Sequence, residues 1–557
     1  MKLPLPIGVS DYCKASSEYY YVDKTMLIKE FLDQKPMVSL FTRPRRFGKT
    51  LTMDMLRVFF EKTEEDTSVF FRNRAVWKCG EQYRRYQGQY PIIFLTFKDV
   101  IFDSWAGTME KIKELLQTEF GRHRELADSE RCEAYERAYF TKVLNGSAGE
   151  VELTSALANL SRMLDKHHGI APIIMIDEYD TPIQQGYRKG YYENVILFMR
   201  NLFSGAFKDN RHLSYGFLTG ILRVAQESIF SGLNNLKINS VPDDQYSEHF
   251  GFTHEEVKEM ADYYEVPEKY DELCDWYDGY WFGNDEMFNP WSVIGYFGSG
   301  CKPQPFWVST SGNEVIGELL ENATPDTMER LNKLIQGQTV LTRIDTNVVY
   351  PQLSDNPSAV YSLLLVSGYL KVISRDILPS GDYMCEVAIP NREITAVYKK
   401  EILSHLGKSS TVPDSSALAI QEALYTQDGT ALQKALQRFL YQTISCHDAA
   451  SENYYQGLLT GLLAMMDDRY TVRSNRESGN GRYDFQLYPR TKELPGILIE
   501  VKAGKGLSGE ALTALAKTAL QQINDRAYDT EMKLSGVEKV LKFGIAFCGK
   551  DVQIISE

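Results

Sequence analysis

The stretch that decides the fold of the N-terminal part of the chain is Thr42–Thr50, which reads T-R-P-R-R-F-G-K-T. It directly follows the apolar strand candidate Val38–Phe41 and directly precedes a helical pattern. A phosphate-binding loop requires this context, because backbone N–H groups at the start of a new helix face an anion. In such a loop a lysine reaches the β- and γ-phosphates and a hydroxyl ligates Mg²⁺. Lys49 and Thr50 fit these two roles, and Gly48 lets the backbone approach closely.

The loop departs from the usual phosphate-binding pattern at one position. Arg43 stands where G-x-x-x-x-G-K-[ST] has its first glycine, so F-G-K-T before a helix also fits an ordinary turn. A second motif, P-I-I-M-I-D-E-Y-D at Pro172–Asp180, is an apolar strand that ends in two adjacent carboxylates. Beside a phosphate loop, Asp177 would hold the Mg²⁺ shell and Glu178 would polarise an attacking water, whereas a solvated acidic loop is the alternative. Together the two motifs predict a nucleotide site.

Short apolar runs alternate with longer amphipathic stretches over the first 230 residues, and this alternation predicts a parallel sheet covered on both faces. The strand candidates are Met37–Thr42, Pro91–Phe97, Pro172–Asp177 and Ser214–Thr219, and the helix candidates include Leu51–Glu61, Thr108–Phe120 and Tyr192–Phe207. The fourth strand ends in Thr219, whose hydroxyl would sense the γ-phosphate. Arg223 follows one helical turn later and would either stabilise transition-state charge in cis or lie on the surface.

A second candidate site lies near the C-terminus, where Gly481–Gln486 reads G-R-Y-D-F-Q and Gly496–Lys502 reads G-I-L-I-E-V-K. A hairpin between these segments would leave the carboxylates of Asp484 and Glu500 on adjacent strands. Because side chains on a strand repeat every two residues, Glu500 and Lys502 share one face. Two carboxylates with a lysine can bind Mg²⁺ and position a hydroxide for attack on a phosphodiester. The alternative is a solvated sheet face.

Three features favour a site over a solvated face. The run Ile497–Ile499 is continuously apolar, so both strand faces look buried just before the charges begin. Glu452 falls on the apolar stripe of a predicted helix over Ser451–Met466, where a carboxylate needs a cation or a hydrogen-bond partner, although a role at the helix start is the alternative. Gln522 falls on the buried side of a predicted helix over Ser508–Tyr528 and would reach toward the same site.

Length and charge limit the remaining possibilities. The 557 residues predict several domains, and 61 basic against 75 acidic side chains give a net charge of −14, which excludes polyanion binding through the bulk field. Residues 445–557 carry 14 basic and 15 acidic side chains. Within them, Arg469–Lys505 holds eight basic and four acidic side chains. This local excess is either a modest positive patch or an ordinary solvated hairpin. No apolar run reaches the length of a membrane span and no two cysteines form C-x-x-C, so we expect a cytoplasmic protein with no membrane association.

The sequence pattern divides the chain into three parts. From about residue 250 to 440 it changes to helices punctuated by aromatic, Gly and Pro turns, including W-Y-D-G-Y-W-F-G and F-N-P-W-S. We therefore expect a P-loop NTPase domain at 1–240, a helical lid or middle region at 241–440, and a C-terminal α/β domain at 445–557.

The chain resembles a bacterial and archaeal family that joins an N-terminal AAA-ATPase-like domain to a C-terminal PD-(D/E)XK nuclease domain. The resemblance covers nearly the whole chain, and the Arg43-containing loop is itself typical of the family. The other motifs that carry it are Y-Y-Y-V-D-K-T at 19–25, I-I-M-I-D-E-Y-D-T-P-I at 173–183, F-L-T-G-I-L-R-V-A-Q-E-S-I-F-S-G-L-N-N-L at 217–236, S-N-R-E-S-G-N-G-R-Y-D at 474–484, I-E-V-K at 499–502 and A-L-Q-Q-I at 519–523.

The resemblance implies an α/β fold with ATP and Mg²⁺ as cofactors. The expected nucleotide-binding residues are Arg43, Arg46, Gly48, Lys49, Thr50, Asp177, Thr219 and Arg223, with Glu178 as a catalytic residue. The expected nuclease residues are Asp484, Glu500, Lys502 and Gln522, and the expected metal ligands are Thr50 and Asp177 at the first site and Glu452, Asp484 and Glu500 at the second.

Family members often carry a histidine where this chain has Gln456, and two functional hypotheses therefore stand side by side. The leading one is an ATP-binding and ATP-hydrolysing protein whose Mg²⁺-dependent nuclease domain acts on DNA or RNA. The alternative is a nucleotide-dependent scaffold or switch whose nuclease fold binds nucleic acid or protein without cleaving it. Association into a homo-oligomer is possible in either case.

Overall fold

The structure is a computed structural model with two compact units, one formed by Met1–Trp307 and Leu341–Glu393 and the other by Val308–Val340 and Ile394–Glu557. It describes residues 2–222, 229–230, 234–307, 330–331, 333–335, 337–345, 357–379, 383–407, 413–426, 428–443, 452–464, 466, 469–474, 477–478, 481–492 and 494–557. Among these residues, none of the helices combines the length and the apolar character that crossing a lipid bilayer requires.

The first unit contains a five-stranded parallel sheet whose strands lie in the order β2-β3-β4-β1-β5. Its strands are β1 (Val38–Thr42), β2 (Ile92–Thr96), β3 (Ile173–Asp177), β4 (Tyr215–Gly220) and β5 (Leu236–Asn239). All five residues of β1 and of β3 are buried, as expected of strands that are covered on both faces. The predicted parallel sheet is confirmed, and the four predicted strands match within one residue at each end.

Helices surround this sheet. They are α1 (Tyr12–Glu18), α2 (Met26–Gln34), α3 (Lys49–Phe60), α4 (Ala75–Lys78), α5 (Glu81–Arg84), α6 (Trp105–Arg122), α7 (Ala134–Leu144), α8 (Glu150–Leu153), α9 (Ala156–His168), α10 (Thr181–Lys189) and α11 (Tyr192–Phe207). Local chemistry sets several of their ends. The Ser104 hydroxyl caps α6 by accepting from the Gly107 N–H, and α9 ends where Gly169 adopts the left-handed conformation.

The rest of the first unit mixes helices with two small sheets. The helices are α12 (His254–Tyr263), α13 (Tyr270–Tyr277), α14 (Pro290–Gly298) and α15 (Pro357–Val366). One sheet is the hairpin of β6 (Tyr280–Phe282) and β7 (Asp285–Met287), and the other has the order β8-β10-β9, formed by β8 (Val340–Ile344), β9 (Lys371–Ile377) and β10 (Tyr383–Ala388). The middle region is helical as expected, but the three-stranded sheet within it was not predicted.

The second unit is built on a mixed five-stranded sheet in the order β11-β14-β15-β16-β17. These strands are β11 (Tyr470–Ser474), β14 (Phe485–Pro489), β15 (Gly496–Ala503), β16 (Val540–Cys548) and β17 (Asp551–Ser556), and a small hairpin is formed by β12 (Glu477–Ser478) and β13 (Gly481–Arg482). The pair β15–β16 is parallel and the other pairs in the five-stranded sheet are antiparallel. The predicted hairpin between the two charged segments is therefore present as β14 and β15.

Helices pack against the second sheet. In chain order they are α17 (Pro413–Tyr425), α18 (Gly429–Thr443), α19 (Glu452–Ala464), α20 (Gly509–Asp525) and α21 (Thr530–Leu534), and they are preceded by α16 (Arg392–Gly407), which begins in the first unit. One apolar core joins Leu424 of α17 and Leu436 of α18 to Leu459 of α19 and to the strands. The core of this unit therefore begins upstream of residue 445, where the sequence pattern placed the start of the third domain.

Candidate functional sites

The loop between β1 and α3 has two residues in the left-handed region. Gly48, at the N-cap of α3, has φ 78°, a conformation that glycine adopts without steric penalty. Arg46 has φ 71°, which is uncommon for a residue with a side chain and indicates a loop that its surroundings hold in shape. The loop therefore turns sharply into α3, as an anion-binding helix start requires.

Lys49 is buried, and its ammonium group lies inside its own loop. Its Nζ donates hydrogen bonds to the backbone oxygens of Arg43, at 3.0 Å, and Pro44, at 2.8 Å. Burial lowers the pKa of the Lys49 ammonium, and nearby carboxylates, that of Glu178 most strongly, oppose this shift. A positive charge held by two neutral carbonyl groups and faced by carboxylates is suited to exchange these partners for phosphate oxygens.

The carboxylate of Asp177, at the end of β3, is fully buried and collects three hydroxyl groups. Thr50 Oγ1 donates to Oδ2 at 2.8 Å, Thr219 Oγ1 donates to Oδ1 at 2.5 Å, and the Thr96 hydroxyl lies 3.5 Å from Oδ2. These residues belong to four different elements, since Thr96 ends β2, Thr219 lies near the end of β4 and Thr50 is in the first turn of α3. A carboxylate beside a helix-start hydroxyl is a donor set that suits Mg²⁺.

Glu178 continues from Asp177 with a left-handed backbone, φ 52°, and its N–H donates to Thr219 Oγ1 at 3.2 Å. Burial raises the pKa of the Glu178 carboxyl, Lys49 lowers it, and the negative charges of Asp177 and Asp180 add to the rise. A carboxylate with a raised pKa is better suited to accept a proton than an ordinary surface carboxylate. Glu178 therefore lies within the same cluster as Lys49 and Asp177.

Asp180 is a member of this region that the sequence did not single out. Its Oδ2 accepts from the N–H groups of Ile221, at 2.8 Å, and Leu222, at 2.9 Å, and so fixes the chain as it leaves β4. Gly220 is required there, because a Cβ would lie 2.7 Å from Tyr179 Cε1. The sequence analysis also missed Thr96. The available signal was its position near the end of a predicted strand, since Asp177 ends the neighbouring strand.

The guanidinium groups of the two loop arginines contact groups of the protein, and their binding of nucleotide stays a prediction. The guanidinium of Arg43 is fully buried, donates to the backbone oxygens of Thr42, Asn239 and Tyr246, and lies over the rings of Phe250 and Phe282. Its two terminal nitrogens thus donate inside the protein, whereas no described residue accepts from its Nε, and burial lowers the pKa of this group to about 10. We therefore assign Arg43 to loop support.

Arg46 is half-buried, and its guanidinium lies 4.4 Å from the ring centre of Trp291. This stacking contact accounts for its direction without a nucleotide. Arg223, the third predicted arginine, lies outside the described residues.

The second candidate site lies where β14 and β15 pair. Phe485 is opposite Ile499, so Asp484, immediately before β14, comes next to Glu500 and Val501. Asp484 Oδ2 accepts from the Val501 N–H at 2.7 Å, which fixes this carboxylate against β15. The two carboxylates predicted to be neighbours are thus brought together.

Glu500 is almost completely buried, and it is the centre of the cluster. Its Oε1 accepts from Lys502 Nζ at 3.1 Å and from Gln522 Nε2, whereas no described residue donates a hydrogen bond to its Oε2. Burial, followed by the charge of Asp484, raises the pKa of the Glu500 carboxyl to about 7, and Lys502 opposes this. A buried carboxylate oxygen without a donor, next to a second carboxylate, suits a divalent cation.

Lys502 and Glu452 complete the cluster. Lys502 Nζ lies 3.6 Å from Glu452 Oε1 as well as 3.1 Å from Glu500 Oε1. Burial alone would lower the pKa of the Lys502 ammonium, but these carboxylates raise it, so the group stays charged. Glu452 is the first residue of α19 and is 39% exposed, so its carboxylate is at once at a helix start and at the site.

Gln456, which the sequence singled out without giving it a partner, reaches the second site. Its Nε2 donates to Asp484 Oδ1 at 2.8 Å. The available signal was its spacing, since Gln456 follows Glu452 by four residues and therefore lies on the same helix face. The amide orients the carboxylate that a histidine at this position would also face.

Comparison with known proteins finds a family for each of the two regions that contain these clusters. Residues 6–230 match the model of a family described as predicted AAA-ATPase, and residues 450–557 match that of the PD-(D/E)XK nuclease superfamily. The chain joins an AAA-ATPase-like domain to a PD-(D/E)XK nuclease-superfamily domain. A relative from Azotobacter chroococcum mcd 1, described as an uncharacterized protein in the vnfD 5′ region, is 25% identical over 558 residues, which cover 98% of this chain and 96% of that protein.

The family matches coincide with the two clusters described above. The AAA-ATPase-like match contains Lys49, Asp177 and Glu178, and the PD-(D/E)XK match contains Asp484 and Glu500. The predicted family and fold class are therefore confirmed, and the architecture combines a nucleotide-binding type of domain with a nuclease type of domain.

Proposed function

We propose that this chain binds and hydrolyses ATP in its AAA-ATPase-like domain and cleaves nucleic acid with its PD-(D/E)XK domain in a Mg²⁺-dependent reaction. The observation that carries the proposal is the convergence of Asp484, Glu500 and Lys502 at the β14–β15 pair, with one buried oxygen of Glu500 lacking a donor among the described residues. A buried carboxylate oxygen that no described residue hydrogen-bonds, next to a second carboxylate, is costly unless it holds a cation or supports chemistry.

In the nucleotide site, the residues of the chain divide the work by position. Lys49 leaves its loop carbonyl groups to pair with the β- and γ-phosphates, and the N–H groups at the start of α3 cradle them. Thr50 and Asp177 would hold Mg²⁺, which when bound neutralises charge on the phosphate oxygens. Glu178 accepts a hydrogen bond from the attacking water and orients it, and Thr219 holds both Asp177 and the backbone of Glu178 in place.

In the nuclease site, Asp484, Glu500 and Glu452 would hold Mg²⁺, which when bound polarises the phosphodiester oxygens. Lys502, kept charged by its carboxylate neighbours, lies where it can stabilise negative charge that develops on the phosphate. Gln522 and Gln456 each donate to one carboxylate and so fix the directions of the remaining oxygens. All these groups come from one domain, so the site is complete within a single chain.

The nucleic-acid partner is supported by charge in the same domain. Arg469, Arg490, Lys492 and Lys505 are exposed in a segment with a local excess of basic residues, and Arg473 lies 4.2 Å over the ring of Tyr488. Basic side chains interleaved with aromatic rings attract a phosphate backbone while the rest of the acidic chain repels it. DNA and RNA both fit this surface.

The test is cleavage of end-labelled single- and double-stranded DNA and RNA in Mg²⁺ and in EDTA. Wild type should cleave at least one substrate only with Mg²⁺, whereas Glu500→Gln and Lys502→Ala should each lose at least 100-fold in rate, as expected when a charged group of the catalytic centre is removed. Lys539→Ala, which removes an exposed lysine of the same domain, should cleave like wild type. Equal degradation by wild type and Lys502→Ala would show that the cleavage comes from another source.

Nucleic-acid binding without Mg²⁺-dependent cleavage would favour the nucleotide-dependent scaffold instead. In that case Glu500→Gln should bind the same substrates as tightly as wild type, because the carboxylate would have no substrate phosphate to activate.

A further inference from the structure

A group of metal-ligating side chains lies in the helical part of the first unit, away from both clusters described above. His254 is the first residue of α12, Cys274 is in α13, and Asp278 immediately follows α13. One ligand atom from each of the three lies within 4.8 Å of the other two. Cys274 and Asp278 are four residues apart and therefore share one face at the end of α13. His254 comes from another helix, so the fold brings two separate segments together at this group.

We propose that His254, Cys274 and Asp278 form a structural binding site for a zinc-class transition metal ion. Nitrogen, sulfur and carboxylate oxygen together form a donor set that favours Zn²⁺ over Mg²⁺ or Ca²⁺, which take oxygen ligands. With metal–ligand lengths of about 2.0 to 2.3 Å, tetrahedral donors lie roughly 3.3 to 3.8 Å apart. The three groups would therefore close by about 1 Å, which side-chain torsions can supply.

The surroundings of His254 support this site. His254 Nε2 lies 3.3 Å from Glu286 Oε2, and a carboxylate on one ring nitrogen leaves the lone pair of the other for a metal. That other nitrogen, Nδ1, is 2.6 Å from the Tyr270 hydroxyl, which caps the lone pair in the metal-free protein. On metal binding the Tyr270 hydroxyl moves aside or stays as a hydrogen-bond partner of the ligands.

The local charges also favour a cation. The negative charges of Asp278 and Glu286 repel one another, and the positive charge of Lys371 partly offsets this repulsion. Two carboxylates thus lie in a half-buried space, where a divalent ion would neutralise both of their negative charges. The zinc-type spacing C-x-x-C is absent from the sequence, so this site is visible only once the fold brings the three residues together.

Such an ion would strengthen the support of the phosphate-binding loop. Glu286 is on β7, opposite Trp281 of β6, and the neighbouring rings of Tyr280 and Phe282 each lie 5.0 Å from the ring of Phe47 in the loop. A metal that joins α12 and α13 and orients Glu286 would hold the β6–β7 hairpin against this loop. Its role would be structural rather than catalytic, because no described contact brings it to Lys49 or Asp177.

Cobalt binding to the full-length, tag-free chain tests the proposal. Wild type should bind one equivalent of Co²⁺ with a thiolate-to-cobalt charge-transfer band, and Zn²⁺ should displace it and raise the thermal midpoint. Cys274→Ala should lose the band, while Cys301→Ala, which removes another half-buried cysteine near α14, should keep it. Because the described contacts of the nuclease cluster include no thiol, metal bound there gives no such band.

His254→Gln keeps the thiol and provides a second measurement if Cys274→Ala does not fold. It should weaken Co²⁺ binding at least tenfold. The proposal is overturned if wild type shows no thiolate band at saturating Co²⁺, if Cys274→Ala shows the same band as wild type, or if His254→Gln binds Co²⁺ as tightly as wild type.

Discussion

Replacing Thr219 by valine is the sharpest probe of the nucleotide site, because it removes one hydroxyl and conserves shape. The sequence suggested that Thr219 senses the γ-phosphate, whereas in the structure its hydroxyl donates to Asp177 Oδ1 at 2.5 Å and accepts from the Glu178 N–H at 3.2 Å. We therefore expect Thr219 to act as a positioning residue for the two carboxylates that follow β3.

The magnitude follows from these two bonds. A hydrogen bond to a charged group contributes about 1.5 to 3 kcal/mol, and a buried N–H left without an acceptor costs about 1 to 3 kcal/mol. Asp177 keeps its bond from Thr50 at 2.8 Å, so we expect Thr219→Val to lower the free energy of unfolding by about 2 to 4 kcal/mol in total. A displacement of Asp177 and Glu178 by about 1 Å should lower kcat for ATP hydrolysis by roughly 10- to 100-fold.

The assay combines urea unfolding with steady-state ATP hydrolysis. Thr219→Ser keeps the hydroxyl and should retain most of both quantities, which separates the hydrogen bonds from the lost methyl group. The reasoning is refuted if Thr219→Val unfolds within about 0.5 kcal/mol of wild type and hydrolyses ATP at the wild-type rate.

Three further predictions concern other buried polar groups. Arg43→Met should lower the free energy of unfolding by about 2 to 4 kcal/mol, because it leaves backbone carbonyl groups of two later segments without their donor, and unchanged urea unfolding would contradict this. Gln456→Ala should lower the nuclease rate about 10-fold, because it removes the hydrogen bond that holds Asp484. Gln456→His should keep a donor at this position and lose less of the rate. Equal rates for the two variants would argue against a positioning role for Gln456. Burial raises the pKa of the Glu393 carboxyl to about 7, so its folded-state pKa lies above the unfolded value of about 4.5 and stability should fall as pH rises between these values. Glu393→Gln should therefore be up to about 3 kcal/mol more stable than wild type at pH 8 and similar to it at pH 4, and parallel pH profiles of the two proteins would contradict this.

Much of the parallel sheet could be predicted from the sequence, because its strands are continuous apolar runs that each end in a polar motif. The contact between Glu500 and Lys502 in the C-terminal domain could also be predicted, since the two-residue period of β15 alone puts these side chains on one face. In these cases local pattern and tertiary environment agree.

Other features of the fold depend on physical facts that local sequence pattern does not carry. Arg43 was expected at the nucleotide, which stays a prediction, and its guanidinium bonds to carbonyl groups 196 and 203 residues away, which local sequence could not indicate. The three-stranded sheet of the middle region was missed because β9 is largely exposed and carries no continuous apolar run. The contribution of α17 and α18 to the core of the second unit likewise depends on contacts with strands that follow later in the sequence.

The most direct test of the central claim is to measure ATP hydrolysis and Mg²⁺-dependent nucleic-acid cleavage on the same preparations of wild type, Lys49→Ala and Lys502→Ala. The two clusters are chemically separate, so Lys49→Ala should lose ATP turnover and keep a nuclease site that still cleaves in Mg²⁺. Lys502→Ala should show the reverse pattern, with wild-type ATP turnover and no cleavage. The account would be contradicted if Lys49→Ala kept its ATP turnover and Lys502→Ala kept its cleavage. Unchanged cleavage in Lys502→Ala alone would also contradict it.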